Sequence, residues 1–119
     1  LMPVASNGSK FTTDITAVGT GDTDCYLVPK NHVSVVKHLL LTNANASART
    51  FTIKIYEKVP NSTTTIITAH SLATITSESI FTLDKPLFLK SEDKIIISAS
   101  ATSSIVATIS AEEFFDPNA

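Results

Sequence analysis

The sequence predicts an all-β protein, an antiparallel β-sandwich or jelly roll of about eight strands. Apolar and polar residues alternate with a period of two in several short segments, which is the spacing of a half-buried strand. Turn-forming residues separate these segments at intervals of roughly 8 to 12 residues, as in other sandwiches. No segment has a convincing helical pattern.

The bulk composition fits one globular domain and excludes several classes of partner. The chain has 119 residues, of which 43% are hydrophobic and 17% charged, so it can bury a core. A net charge of -2 gives no electrostatic reason to expect nucleic acid. No apolar run approaches the roughly 18 residues of a membrane helix, so we expect no membrane partner. The single cysteine, Cys25, excludes an internal disulfide.

Eight segments are predicted as strands, beginning after an irregular stretch at residues 1–9. The first segment alternates and so places four residues on one face: Phe11, Thr13, Ile15 and Ala17. The predicted strands cover residues 10–18, 24–28, 33–41, 51–56, 63–69, 80–83, 94–100 and 105–110, with a short apolar segment at 87–89. Residues 70–79 fit either one helical turn or, given their Thr and Ser content, a loop or irregular strand.

Two pairs of these strands are predicted to form antiparallel hairpins. In Val33 to Tyr56, an aliphatic strand leads through the small polar residues 42–48 into a strand with three large apolar residues on one face. Lys94 to Ser110 repeats this form, with residues 101–104 as its loop. We expect the two segments to pack together or to pair within one sandwich.

The sequence contains no motif of a known catalytic site, neither a nucleophile elbow nor a phosphate-binding, dinucleotide-binding or zinc-protease pattern. Asp14, Asp22 and Asp24 flank a glycine turn, but their spacing differs from that of a calcium loop and aspartates are common in turns. Cys25 has no adjacent basic residue to lower its pKa, which favours a structural thiol. We predict no catalytic residue, no metal site and no cofactor.

The C-terminal residues are acidic, then aromatic, and then contain a proline turn. Phe114 and Phe115 either close the edge of the core or dock onto a neighbouring protein. We therefore divide the chain into an N-terminal arm at residues 1–9, a β-sandwich domain at 10–111 and a C-terminal tail at 112–119.

Two segments resemble a motif of small virion proteins of tailed bacteriophages. Cys25-Tyr26-Leu27-Val28-Pro29 is similar to a tyrosine-x-valine-proline strand that leads through a turn into an aliphatic strand, which here ends at Thr42-Asn43. Pro86 to Ile95 is similar to a later segment, in which proline-leucine-x-leucine precedes glycine-aspartate-lysine-isoleucine. The resemblance spans roughly residues 23 to 111.

This chain departs from the family pattern at two turns. Lys30-Asn31 stands where such sequences usually have Ala-Gly, and Glu92-Asp93 stands where they have Gly-Asp. Both replacements keep turn-forming residues, so the expected fold is unchanged.

The resemblance implies a non-enzymatic structural protein, made in the cytoplasm of the bacterial host and carried on the surface of the phage particle. Members of this family serve as capsid decoration (cement) proteins, head fibres, or neck and tail components, often as trimers. The expected partners are the major capsid protein or other virion proteins, and further copies of this chain in a homotrimer. The arm and the tail are expected to reach a neighbour through the following residues: Met2, Pro3, Val4, Phe114 and Phe115.

A capsid decoration protein that binds and stabilises the head lattice is the leading hypothesis. A neck, tail or fibre component of the virion is the alternative. A carbohydrate-binding adhesin module is a third hypothesis, because β-sandwiches often bind sugars. That role requires exposed aromatic rings, and the chain has no Trp and two tyrosines, Tyr26 and Tyr56.

Overall fold

The computed structural model of the chain describes residues 9–43, 47–72, 80–83, 85–102 and 105–119. This part of the chain contains nine strands and no helix. The strands are β1 (Ser9–Val18), β2 (Thr23–Leu27), β3 (His32–Asn43), β4 (Arg49–Glu57), β5 (Ser62–Leu72), β6 (Ile80–Thr82), β7 (Leu87–Leu89), β8 (Lys94–Ala99) and β9 (Ile105–Phe115).

The strands form two antiparallel sheets that face each other as a sandwich. Sheet A has the order β1-β9-β3-β6, and β7 pairs with the other half of the β3 edge that β6 occupies. Sheet B has the order β2-β8-β4-β5. Most connections pass from one sheet to the other, as in a jelly roll. The predicted fold class, an all-β antiparallel sandwich or jelly roll, is confirmed.

The two predicted hairpins are wrong. β3 lies in sheet A and β4 in sheet B, so the loop between them crosses the sandwich, and β8 and β9 are divided in the same way. β3 pairs with β9 and β4 pairs with β8, so the two segments pair with each other within one sandwich, as expected. Alternation could not reveal the crossing, because a hairpin and a crossing connection both join two alternating strands through a short polar loop.

Several strands are longer than predicted. β9 continues through Phe115, five residues beyond its predicted end, so Glu112 to Phe115 belong to a strand that pairs with both β1 and β3. β5 extends through Leu72, and residues 73–79 of the undecided region lie outside the described residues. The arm, apart from Ser9, also lies outside them. The division of the chain into arm, domain and tail stays a prediction.

The core lies between the sheets and is built from the inward-facing residues of the strands. Full burial of a large aliphatic or aromatic side chain stabilises the fold by about 1.5–3 kcal/mol, so this layer is the main source of stability. The largest fully buried side chains are Phe51, Leu39, Leu41, Ile53, Ile95, Ile97, Ile105 and Ile109.

Both positions at which the chain departs from the virion-protein pattern have left-handed backbone conformations. Asn31 has φ 60° and Glu92 has φ 66°. Glycine, the usual residue of that pattern at each position, adopts this conformation without a steric penalty. Asparagine tolerates it and glutamate does so poorly, because the Cβ atom approaches the following carbonyl oxygen. The turn therefore needs a left-handed residue at position 92, and a glutamate in that conformation strains the backbone.

A buried aspartate holds this turn in place. The Asp93 carboxylate, 3% exposed, accepts hydrogen bonds from the backbone N–H groups of Lys58 at 3.0 Å and Lys90 at 2.8 Å. The backbone N–H of Val28 donates to the Asp93 carbonyl at 2.9 Å, and that of Glu92 donates to the Val28 carbonyl at 3.1 Å. Sheet B and the turns at one end of the sandwich are tied together at Asp93.

We predict that Glu92→Gly increases the free energy of unfolding by about 0.5–1 kcal/mol. Relief of the left-handed strain, about 1–2 kcal/mol, exceeds the added entropy of the unfolded chain. Urea denaturation measures the change. As a matched control, Glu57→Gly at the end of β4 lowers the same quantity, because Glu57 has no left-handed strain to relieve and glycine adds entropy to the unfolded chain. A decrease for Glu92→Gly would contradict the assignment of strain to this position.

Candidate functional site

The most developed polar cluster in the structure is buried between the two sheets. The Tyr26 hydroxyl lies 2.8 Å from the Ser34 hydroxyl and donates to the Glu113 carboxylate at 2.7 Å. β2 of sheet B supplies Tyr26, and β3 and β9 of sheet A place Ser34 and Glu113 directly opposite each other. The three residues are 2–5% exposed. The cluster therefore joins the sheets through their cores.

The electrostatics of this cluster keep the phenol protonated. Burial raises the pKa of Tyr26 well above its usual range, the nearby Glu113 raises it further, and the hydrogen bond with Ser34 opposes the rise. Lys10 approaches the Glu113 carboxylate from the surface, with its Nζ 3.9 Å from Oε1. The Ser34 hydroxyl has the Tyr26 phenol as its hydrogen-bond partner and is closed to solvent, so the arrangement supports a structural role for the cluster.

Cys25 precedes Tyr26 in β2, and its thiol is shielded from solvent. Its side chain is buried, and its Sγ lies 3.5 Å from the Thr23 carbonyl. Burial raises the pKa of the thiol to about 11; the hydrogen bond with the Ile97 backbone opposes this rise, and the charge of Asp24 adds a smaller increase. The reactive thiolate is therefore scarce at neutral pH.

The aspartates of the glycine turn pair with lysines of sheet B. Asp22 lies 3.1 Å from Lys54 Nζ, and Asp24 lies 3.3 Å from Lys94 Nζ. Among the described residues, no group of three or more His, Cys, Asp or Glu side chains converges as metal ligands. The part of the chain that the structure describes also has no helix able to cross a membrane.

Open grooves run along the two sides of the sandwich, where the edges of the sheets approach each other. One, of about 460 Å³, separates β1 from β2 and includes Asp14 and Tyr26 in its lining. The other, of about 500 Å³, separates β5 from β6 and β7 and is mainly apolar. Its apolar lining consists of Ile66, Ile67, Phe81, Leu83, Pro86 and Leu87. The second groove offers dispersion contacts and few polar groups to fix a small ligand.

The outer face of sheet A carries four of the eight large hydrophobic side chains that are exposed among the described residues. We use this name for the outward-facing residues of β1, β9, β3, β6 and β7. It carries Phe11 at 74% exposure, Ile15 at 71%, Phe88 at 76% and Ile80 at 51%. The outer face of sheet B instead carries the lysines that pair with Asp22 and Asp24. Exposed apolar patches of this kind mark sites of protein interaction.

The structure places the predicted partner-binding residues as follows. Phe114 is half-buried on the outer face of sheet A, and Phe115 is 46% exposed, with its ring edge-on to that of His32 at a centroid distance of 5.6 Å. Met2, Pro3 and Val4 lie outside the described residues. The partner-binding roles of all five residues stay predictions.

Sequence reasoning missed the most exposed residues of this surface. Alternation correctly placed Phe11 and Ile15 on one face of β1, but it could not show that this face points to solvent. The opposite face, which includes Asp14 and Thr16, is the half-buried one. The exposure of Phe88 was missed for the same reason. Phe88 is the outward residue of a three-residue strand, between two inward leucines.

The comparisons with known proteins give likenesses of fold. No protein-family model matches the chain, and no curated protein matches its sequence significantly. A chain in the acidic stable capsid structure of Helicobacter pylori bacteriophage KHP30 is similar with a TM-score of 0.53 at 13% identity, over 92% of this chain and 88% of that one. A chain of Bacillus endospore appendages, described as disulfide-linked pili, has a TM-score of 0.55 at 12% identity, over 98% of both chains.

A third solved structure contains the same fold within a longer protein. The VP2 subviral particle of infectious bursal disease virus is similar with a TM-score of 0.53 at 11% identity, over 95% of this chain and 32% of that one. At these identities the likeness establishes the fold: a two-sheet sandwich found in capsid and appendage proteins.

We predict that Tyr26→Phe lowers the free energy of unfolding by about 1–3 kcal/mol, because it leaves the buried Glu113 carboxylate without its donor. Tyr56→Phe is the matched control. Its hydroxyl bonds to Asn61 at the exposed surface, so the loss should stay below about 0.5 kcal/mol. Chemical denaturation measures both. Equal, small losses would contradict the role of the buried cluster as a link between the sheets.

We also predict that stability falls as the pH rises above about 9. The unfolded Cys25 thiol loses its proton near its ordinary pKa of 9.0, whereas the folded thiol keeps it to about 11. The unfolded state then binds fewer protons, so alkaline pH favours unfolding. Thermal unfolding between pH 8 and pH 11 tests this. Cys25→Ala should reduce the decline, and the part that remains above about pH 10 is due to Tyr26, whose pKa is also raised from 10.0. An unchanged slope would show that the thiol does not contribute.

Proposed function

We propose that this chain is a non-enzymatic structural protein of a phage particle, and specifically a capsid decoration protein that binds and stabilises the head lattice. The observation that carries the proposal is the likeness to the KHP30 capsid chain, which covers nearly all of both molecules. The match to the KHP30 chain extends over most of both chains, whereas the match to VP2 covers one part of a longer protein. The sequence resemblance to small virion proteins supports the same role independently.

The surface of the molecule suits binding to a repeated lattice. Its sandwich is stabilised by a continuous core and by polar links between and within the sheets, so the outer faces are presented on a rigid body. An exposed apolar face on such a body can bind weakly at each site and still hold firmly when neighbouring copies are connected, because multivalency raises the effective concentration.

The expected partners are the major capsid protein and other virion proteins, on the surface of a particle assembled in a bacterial host. The homotrimer that the resemblance implies stays a prediction, and the mass of the purified chain decides between it and the two-fold pair proposed below. A neck, tail or fibre component is the alternative within the same class. Copy number separates the two, because a lattice binder is present at hundreds of copies per particle and a neck ring at about a dozen or fewer.

An appendage subunit is a second candidate, since the likeness to the Bacillus appendage chain covers both chains almost completely. The disulfide linkage named for those pili has little support here. The one cysteine of this chain, Cys25, is buried, and its thiol has a raised pKa. Sugar binding through either tyrosine is disfavoured on similar grounds, which leaves exposed phenylalanines such as Phe11 and Phe88 to stack on a sugar ring. Tyr26 is buried, and the half-buried ring of Tyr56 lies under Lys94 Nζ, 5.4 Å from its centroid.

We predict that purified particles from a culture producing this protein contain it in near-stoichiometric amounts relative to the major capsid protein. Quantitative mass spectrometry gives the copy ratio, and cryo-electron microscopy shows whether sandwich-shaped density lies on the outer head shell. Hundreds of copies on the shell support the decoration role.

A different copy number or location of the protein would change the role assigned to it. About a dozen copies at the neck or tail would replace the decoration role with the alternative in the virion. Absence from particles, together with recovery of the protein in cell-surface filaments, would overturn the virion role.

A further inference from the structure

Strand register aligns the apolar residues of the outer face of sheet A into rows that cross the sheet. One row consists of Phe11, Glu112, Val35 and Phe88, contributed by β1, β9, β3 and β7. Its two phenylalanines are 74% and 76% exposed and stand on the two outermost strands. At about 4.8 Å between neighbouring strands, they lie about 14 Å apart.

A second row crosses the sheet near the other end of the same strands and is arranged in the same way. It consists of Ala17, Val106, Thr42 and Ile80, contributed by β1, β9, β3 and β6. Apolar residues again occupy both outer positions. Each row is therefore apolar at both ends, and the two rows are balanced about the line between β9 and β3.

This balance makes the face complementary to itself. A two-fold axis that runs along the strands, above the line between β9 and β3, places β1 of one copy over β6 and β7 of the other. Phe11 of each copy then faces Phe88 of its partner copy, and Ala17 faces Ile80. A two-fold contact uses the same patch on both molecules, which this pattern satisfies.

The electrostatics of the face permit this contact. The carboxylate of Glu112, in the middle of the first row, lies 3.6 Å from Lys37 Nζ and accepts a hydrogen bond from the Ser9 hydroxyl at 2.6 Å. Covering the face therefore buries a paired carboxylate, which costs far less than an unpaired one. Close to this pair, Thr13 and Ser110 hydroxyls also satisfy each other at 3.2 Å.

The size of the face matches what a stable contact needs. Its three long strands have 10, 11 and 12 residues, and at about 3.3 Å per residue they extend roughly 35 Å. Four strand positions at about 4.8 Å give a width of about 19 Å. The resulting area of about 700 Å² is close to the roughly 800 Å² that each partner contributes to a standard interface.

We propose that the outer face of sheet A is a two-fold interface between two copies of this chain, with Phe11 of each copy packed against Phe88 of the other. The interface buries four exposed phenylalanine rings, and it leaves the outer face of sheet B free for other partners. This inference concerns the purified chain alone, so it does not depend on the proposed virion role.

The first test measures the mass of the purified protein by light scattering and by sedimentation across roughly 1 to 200 µM. A dimer of about 25 kDa, twice the 12.7 kDa of the chain, is expected. Phe11→Asp and Phe88→Asp should each raise the dissociation constant at least about tenfold. Val59→Asp is the matched control, since Val59 is 73% exposed in the β4–β5 turn, outside the strands that form this face. It should leave the dimer intact.

The second test fixes the geometry and uses substitutions that introduce no charge. Chains carrying Phe11→Cys are mixed with chains carrying Phe88→Cys and treated with a bismaleimide that spans about 10 Å, the usual distance between packed sheets. The mixture should cross-link efficiently and each variant alone should not. Cys25 is buried and does not compete at neutral pH.

Circular dichroism and cooperative unfolding verify that every variant is folded. A monomer at all concentrations would overturn the proposal, as would a trimer, or a dimer that both aspartate variants leave intact. Cross-linking of Phe11→Cys chains to themselves but not to Phe88→Cys chains would overturn the two-fold geometry. If the protein is monomeric and its aspartate variants lose binding to particles, the face belongs to a different partner and the proposal is equally overturned.

Discussion

The pairing of β3 with β9 is the constraint on which the rest of the structure depends. These strands form the middle of sheet A, in a register that runs from His32 opposite Phe115 to Asn43 opposite Ile105 and shifts by one residue between Val36 and His38. β1 adds to the free edge of β9, and β6 and β7 add to the free edge of β3. Because side chains alternate between faces, this one register decides which residues enter the core and which form the outer surface.

Two features that seem unrelated follow from the same register. On the inner side, Ser34 and Glu113 stand opposite each other, so the Tyr26 hydroxyl from sheet B can reach both. On the outer side, the next pair, Val35 and Glu112, forms the centre of the row that ends in two exposed rings. A slip by one residue would bury Glu112, expose Glu113 and destroy both arrangements. Stability and surface pattern are therefore coupled in this fold.

The sequence predicted the fold class and nearly every strand, because alternation and turn residues are local signals. It could not predict which strands share a sheet: the loop after Asn43 crosses the sandwich, and nothing in its small polar residues distinguishes a crossing from a hairpin. Nor could it orient β1, where Phe11 faces solvent and Asp14 is half-buried, since alternation defines two faces without ranking them. The left-handed residues Asn31 and Glu92 were visible as departures from glycine, although their conformation required the backbone.

The central claim is the proposal that two copies of this chain bind each other through the outer face of sheet A. Hydroxyl-radical footprinting tests it most directly, by comparing oxidation of individual side chains in dilute protein with that in the concentrated assembly. The account predicts that Phe11 and Phe88 are oxidised readily when dilute and strongly protected when assembled, while Val59 changes little. Equal oxidation of both phenylalanines in the two states, with protection elsewhere on the molecule, would contradict it.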